Sequence, residues 1–132
     1  MKLIAKNIHS DSWSKRWSVV DENGEQRATI ELYKCVPTKH IVNVISMNTM
    51  LPFRHNVFEN FLDALAFARN VIDNEPEPTV ESLEAGITYL KTSRYRDEMS
   101  DDYAYSNGKY DGWTSKISLI EKKLTALKSA LV

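Results

Sequence analysis

The sequence has few of the residues that build the common cofactor-binding and redox motifs. Only 4 of its 132 residues are glycine, which leaves no glycine-rich loop to hold a phosphate group. Its one cysteine, Cys35, cannot form a disulfide within the chain, and this favours a reducing compartment and a cytoplasmic location. No apolar run approaches the roughly 18 residues of a membrane-spanning helix, so no membrane association is expected.

Histidines and acidic residues also lack the spacings that mark catalytic or metal sites. His9, His40 and His55 stand far apart, and none belongs to a paired motif such as H-x-x-x-H. Adjacent carboxylates such as Asp101 and Asp102 lie in a polar stretch, where ordinary surface acids are expected. The sequence therefore predicts a protein that is not an enzyme, with no catalytic residue, no bound metal and no cofactor.

The overall charge is balanced but unevenly distributed along the chain. Lys and Arg number 17 against 18 Asp and Glu, a net charge of -1, which argues against a dedicated duplex-DNA binder. Residues 1–57 carry a net charge of +3, residues 58–112 a net charge of -7, and residues 113–132 a net charge of +3. Two interpretations stay open: the opposite charges attract within one fold, or one patch faces a charged partner.

The first half of the chain has the pattern of an antiparallel sheet. Asn23-Gly24 predicts a hairpin turn between a strand ending at Val20 and a strand over residues 27–36. A strand over residues 40–47 is β-branched on both faces, and residues 2–8 give a further strand.

The second half has the pattern of helices. Asn56 and Glu59 resemble a capping box at the start of a first helix that ends before Pro76, and Thr79 is a favourable N-cap for a second. A third helix is predicted from about residue 114 onward. The predicted fold is α+β, an N-terminal antiparallel sheet of about four strands followed by three helices. We expect a single domain over residues 1–132, mainly β to residue 55 and mainly α from residue 56, with an irregular tyrosine-rich loop near 100–112.

One stretch concentrates the residue types that dominate protein interfaces. Tyr, Trp and Arg bury a large area while keeping a polar end satisfied. Either these side chains fold back onto the core, or they form a partner-binding surface. The candidate partner-binding residues are Arg94, Tyr95, Arg96, Tyr103, Tyr105, Tyr110 and Trp113.

A second aromatic and basic group lies in the predicted sheet. Sheet faces with exposed aromatic and cationic side chains stack single-stranded bases, and some small sheets enter a DNA groove. Glu31 lies between the aromatic residues and would repel phosphates, while Trp17 shares a face with Val19 and is expected in the core. The candidate nucleic-acid residues are Trp13, Lys15, Arg16, Arg27, Tyr33 and Lys34.

The last helix carries an apolar seam with alternating spacings of three and four residues. Two heptads are too short for an independent coiled coil, so the seam must pack within the chain or against a second copy. The seam consists of Ile117, Ile120, Leu124, Leu127 and Leu131.

Together these patterns favour a small, non-enzymatic, intracellular binding or regulatory protein that acts by protein–protein interaction on a partner of unknown identity. An accessory protein or a phage-type inhibitor is one such context. The alternative is a nucleic-acid-binding module that uses the basic, aromatic sheet face, and a homodimer is compatible with either function.

Overall fold

The fold is α+β, a five-stranded antiparallel sheet followed by three helices. A computed structural model describes residues 2–36, 39–98 and 112–131. The strands follow one another across the sheet in chain order. They are β1 (Ile4–Ser10), β2 (Ser14–Val20), β3 (Gln26–Tyr33), β4 (His40–Ile45) and β5 (Pro52–Phe58), and the helices are α1 (Phe61–Asn74), α2 (Val80–Glu98) and α3 (Gly112–Ala130).

The chain forms two compact units. The first comprises the sheet and α1, and the second comprises α2, α3 and the short loop Met47–Met50. In the first unit, α1 packs against β3, β4 and β5. Its buried residues, Ala64, Ala68 and Ile72, recur every fourth position and so lie on one face of the helix. They complete a core with Leu3, which precedes β1, and with buried apolar side chains of the sheet, namely Val19, Ala28, Ile30, Val42 and Val44.

The strand count is five rather than the predicted four because the pattern assigns no strand to residues 52–55 and begins the first helix at Asn56, inside β5. This strand lies at the sheet edge and is exposed along most of its length, so it lacks the alternation of buried and exposed residues that reveals a strand. Asn56 does not cap α1; its Oδ1 accepts a hydrogen bond from the N–H of Val57 at 2.8 Å. The helix N-cap is Asn60, whose Oδ1 accepts from the N–H of Asp63 at 2.9 Å.

Both edge strands carry a bulge. In β1 the pairing register with β2 shifts between Asn7 and His9, and the Asn7 side chain donates to the carbonyls of His9 and Arg16. In β5 the register with β4 shifts between Val44 and Ile45, next to Pro52. Bulges and prolines disrupt the regular row of backbone groups that would otherwise pair with another strand.

In the second unit, α2 and α3 pack against each other. The start of α2 is capped as predicted, since the Thr79 hydroxyl accepts from the N–H of Ser82 at 3.1 Å. Lys128 near the end of α3 lies 3.4 Å from Glu84 near the start of α2, so the helices are antiparallel. The loop Met47–Met50 approaches α2 closely at Gly86, where an added Cβ would lie 2.2 Å from the carbonyl oxygen of Asn48.

Candidate interaction surface

The turn between β1 and β2 presents Trp13 to solvent, with 76% of this residue exposed. One carboxylate oxygen of Asp11 accepts hydrogen bonds from the backbone N–H groups of Trp13, at 2.7 Å, and Ser14, at 2.8 Å. The N–H of Asp11 in turn donates to the carbonyl of Ser14 at 3.0 Å. The backbone that carries the indole is therefore fixed on both sides by a single aspartate.

The ionised state of Asp11 is strongly favoured by these contacts. The N–H of Trp13 is the largest cause and that of Ser14 the next, followed by the His9 ring, whose Nε2 lies 2.7 Å from the carboxylate. Together they lower the pKa of Asp11 to about 2. The acceptor that organises the turn is thus present throughout the neutral and mildly acidic range.

The end of β3 is joined to the same turn by two contacts from Lys34. Its backbone N–H donates to the carbonyl of Trp13 at 2.7 Å, and its ammonium group donates to the carbonyl of Asp11. Tyr33, its neighbour, is directly opposite Ser14 in the register of β2 and β3 and is 45% exposed. Residues from two separate turns are therefore held together at one end of the sheet.

Five of the six residues predicted as a nucleic-acid surface lie at this end, which we call the Trp13 surface. Arg16 donates to Glu31 on β3 at 2.8 Å; this contact raises the pKa of Arg16 and pairs its positive charge with a carboxylate. The members of the Trp13 surface are Trp13, Lys15, Arg16, Tyr33 and Lys34.

These five residues share an end of the sheet but not a face. Lys15 and Arg16 are consecutive in β2, so they project to opposite sides. Lys15 is on the same side as Trp17, whose ring centroid lies 4.9 Å from that of Phe61 in α1. Arg16 is on the other side with Tyr33. The residues therefore do not form the single flat platform that base stacking across a sheet requires.

Arg27 does not belong to this surface. It is only 4% exposed, and its guanidinium donates to the Asp21 carboxylate at 3.3 Å. The register of β2 and β3 shifts between Val19 and Val20, and this bulge leaves Arg27 outside the paired positions. Asp21 also accepts from the N–H groups of Asn23 and Glu25, so the ion pair closes the hairpin turn.

The tyrosine-rich stretch is described only in part. Arg94, Tyr95 and Arg96 belong to α2, and their side chains lie outside the described part of the chain, as do residues Tyr103, Tyr105 and Tyr110. Trp113 is half-buried in the first turn of α3, with the Lys116 ammonium 5.6 Å from its ring centroid. Partial burial lowers the pKa of Lys116.

The apolar seam of α3 is covered at its start and uncovered at its end. Ile117 and Ile120 are 6% and 0% exposed, whereas Leu131 is 72% exposed. Leu124 and Leu127 lie between these extremes and are half-buried. The first part of the seam is thus used within this chain.

The described residues contain no group of three or more His, Cys, Asp or Glu side chains placed to hold a metal ion. Within the same residues, no helix combines the length and the apolar character needed to cross a membrane. Cys35 is an exposed thiol in the turn that follows β3.

Sequence reasoning missed the residue that organises the Trp13 surface. Asp11 precedes Trp13 by two positions and Ser14 by three, which is the spacing of a side chain that caps its own turn. That pattern was available in the sequence. The contact from Lys34 was not, because it joins residues 23 positions apart.

Comparison with protein-family models, with curated proteins and with solved structures gives no match for this chain.

Proposed function

We propose that this chain is a small, non-enzymatic binding protein that acts by protein–protein interaction. The observation that carries the proposal is the exposure of Trp13 on a turn that is fixed by hydrogen bonds. Tryptophan is the residue type most enriched among interface hot spots, because one side chain buries a large apolar area. A fixed backbone lowers the entropy that is lost on binding.

The stretch Arg94–Trp113 remains part of the same proposal. Its aromatic and arginine side chains are of the type that inserts into partner pockets, and they would act together with Trp13 or independently of it. Replacement of Tyr103, Tyr105 and Trp113 by alanine should abolish partner capture while the melting temperature changes little. A large fall in the melting temperature would instead identify these aromatic residues as core.

The test of the Trp13 contribution is affinity capture by the tagged full chain, with Trp13→Ala compared with Leu62→Ala. Leu62 is 73% exposed on α1 and provides an apolar control that is not part of the Trp13 surface. We expect Trp13→Ala to lose a captured protein that the wild type and Leu62→Ala both retain after nuclease treatment. Equal capture by all three chains would contradict the proposal for Trp13.

Nucleic-acid binding is the second candidate, because the Trp13 surface combines two exposed aromatic residues with lysines and an arginine. Charge reversal at Lys15, Arg16 and Lys34 should then weaken binding of a fluorescent oligothymidylate, and the affinity should fall steeply with salt. Absent binding, or binding that is independent of salt, would refute this function.

A homodimer through the α3 seam is a separate proposal on partners. The exposed Leu131 and the half-buried Leu127 and Leu124 are the positions where a second copy could extend the packing. Light scattering of the wild type and of Leu131→Asp tests this arrangement. A mass of 15.2 kDa for the wild type would exclude it.

A further inference from the structure

We propose that Trp13 is an anchor for an apolar pocket rimmed by carboxylates on a protein partner. This inference rests on the proposed protein-binding function and adds the chemistry of the partner.

The shape favours insertion over stacking. Trp13 lies in the turn rather than on the sheet, and it exposes 76% of its surface, whereas Trp17, four residues further on, is packed against Phe61. An indole on a turn at the end of a sheet can enter a concave site. The Trp13 surface also lacks a common face on which successive bases could stack.

The charges around the indole are mainly positive. Lys15 follows the turn in β2, and Lys34 contacts it directly. Arg16 is paired with Glu31, so its charge is offset locally, and Lys15 and Lys34 bring two positive charges to the turn that carries the Asp11 carboxylate. A partner with acidic groups at the rim of its pocket would complement this surplus.

Asp11 acts as a positioning residue in this interaction. One carboxylate oxygen accepts from the N–H groups of Trp13 and Ser14 and the other contacts His9, so the side chain orders the turn that carries the indole. Asp11→Asn keeps an oxygen acceptor for these two groups and removes a negative charge, while Asp11→Ala removes both. We therefore expect Asp11→Asn to bind an acidic partner at least as tightly as the wild type, and Asp11→Ala to bind it more weakly.

The experiment is a selection of phage-displayed random dodecapeptides on the immobilised full chain, with prior removal of peptides that bind Trp13→Ala. The recovered peptides should be rich in Asp and Glu around a large apolar residue. Their affinity should fall by about 30-fold or more in Trp13→Ala, as for an interface hot spot, and by less than about twofold in Leu62→Ala. It should also fall as salt is raised from about 50 to about 300 mM.

The outcomes separate the inference from the function beneath it. Trp13-dependent peptides that are neutral or basic would overturn the acidic pocket while leaving protein binding in place. Failure to recover any Trp13-dependent peptide would overturn the inference and, for this surface, the proposed function. Salt-sensitive binding of oligothymidylate without such peptides would overturn both in favour of nucleic acid. Normal melting of Trp13→Ala confirms that each comparison is made between folded proteins.

Discussion

The buried ion pair between Asp21 and Arg27 gives the sharpest prediction about stability. The two side chains are 6% and 4% exposed, and the carboxylate also accepts from two backbone N–H groups in the β2–β3 turn. Asp21→Asn retains an oxygen for those N–H groups and removes only the charge that faces Arg27. Removal of one partner of a buried pair costs about 3–5 kcal/mol, a large part of the 5–15 kcal/mol by which a domain of this size is stable.

Urea unfolding followed by circular dichroism and by tryptophan fluorescence measures this cost. The matched control is Glu31→Gln, which neutralises one member of the exposed pair with Arg16, where the side chains are 22% and 49% exposed. We expect the control to lose no more than about 1 kcal/mol, because solvent screens an exposed pair. The double variant Asp21→Asn with Arg27→Met should regain part of the stability lost by Asp21→Asn, since the buried guanidinium is removed together with the carboxylate that faces it.

The reasoning would be refuted by an Asp21→Asn chain that unfolds within about 1 kcal/mol of the wild type, or by a double variant less stable than Asp21→Asn alone. Either result would mean that the charge of Arg27 does not depend on Asp21 for its burial.

Three further predictions concern the loop Met47–Met50, the sheet core and the Trp13 turn. Gly86→Ala should destabilise the α2–α3 unit by about 1–3 kcal/mol despite the better helix propensity of alanine, because the new Cβ would lie 2.2 Å from the Asn48 carbonyl oxygen. Hydrogen exchange of the α2 amides should become faster, and unchanged exchange would contradict this prediction. His40→Phe should leave the free energy of unfolding unchanged or raise it by up to about 1 kcal/mol, because the buried Nδ1 atom of His40 has no hydrogen-bond partner among the described residues; a loss of more than about 1 kcal/mol would contradict this. The pKa of Asp11 is lowered to about 2, so the stabilisation of the turn by the Asp11 carboxylate should be complete above about pH 4 and be lost as the pH falls towards 2. The amide resonance of Trp13 should report this titration. The same titration in Asp11→Ala would contradict its assignment to Asp11.

The sequence pattern predicted those elements whose local signals agree with their burial. The turn at Gly24, which has a φ of 78°, and the cap at Thr79 are set by residues within a few positions of each other. Strand β5 was missed because an exposed edge strand has no periodic apolar pattern, and the Asn56 side chain that suggested a helix cap bonds the next residue instead.

The residue types of the candidate surface could be read from the sequence, but the placement of these residues in the sheet could not. Trp13 and Lys34 were grouped by residue type, and the structure brings them together through one turn. Arg27 was grouped with them by the same criterion, yet a bulge in the register of β2 and β3 sets it apart, and it pairs with Asp21. Strand register depends on contacts between distant residues, so alternation along a single strand could not reveal either outcome.

The irregular edges of the sheet restrict how a partner can be recognised. A peptide that adds to a sheet as an extra strand needs a straight row of free backbone donors and acceptors. On β5 the N–H of Val57 is already occupied by Asn56, and on β1 the carbonyl of His9 accepts from Asn7 beside the bulge. Addition of a partner strand is therefore disfavoured at both edges of the sheet. Under the proposed protein-binding function, a partner would be recognised by the shape and charge of its surface, and not by an extended segment of its backbone.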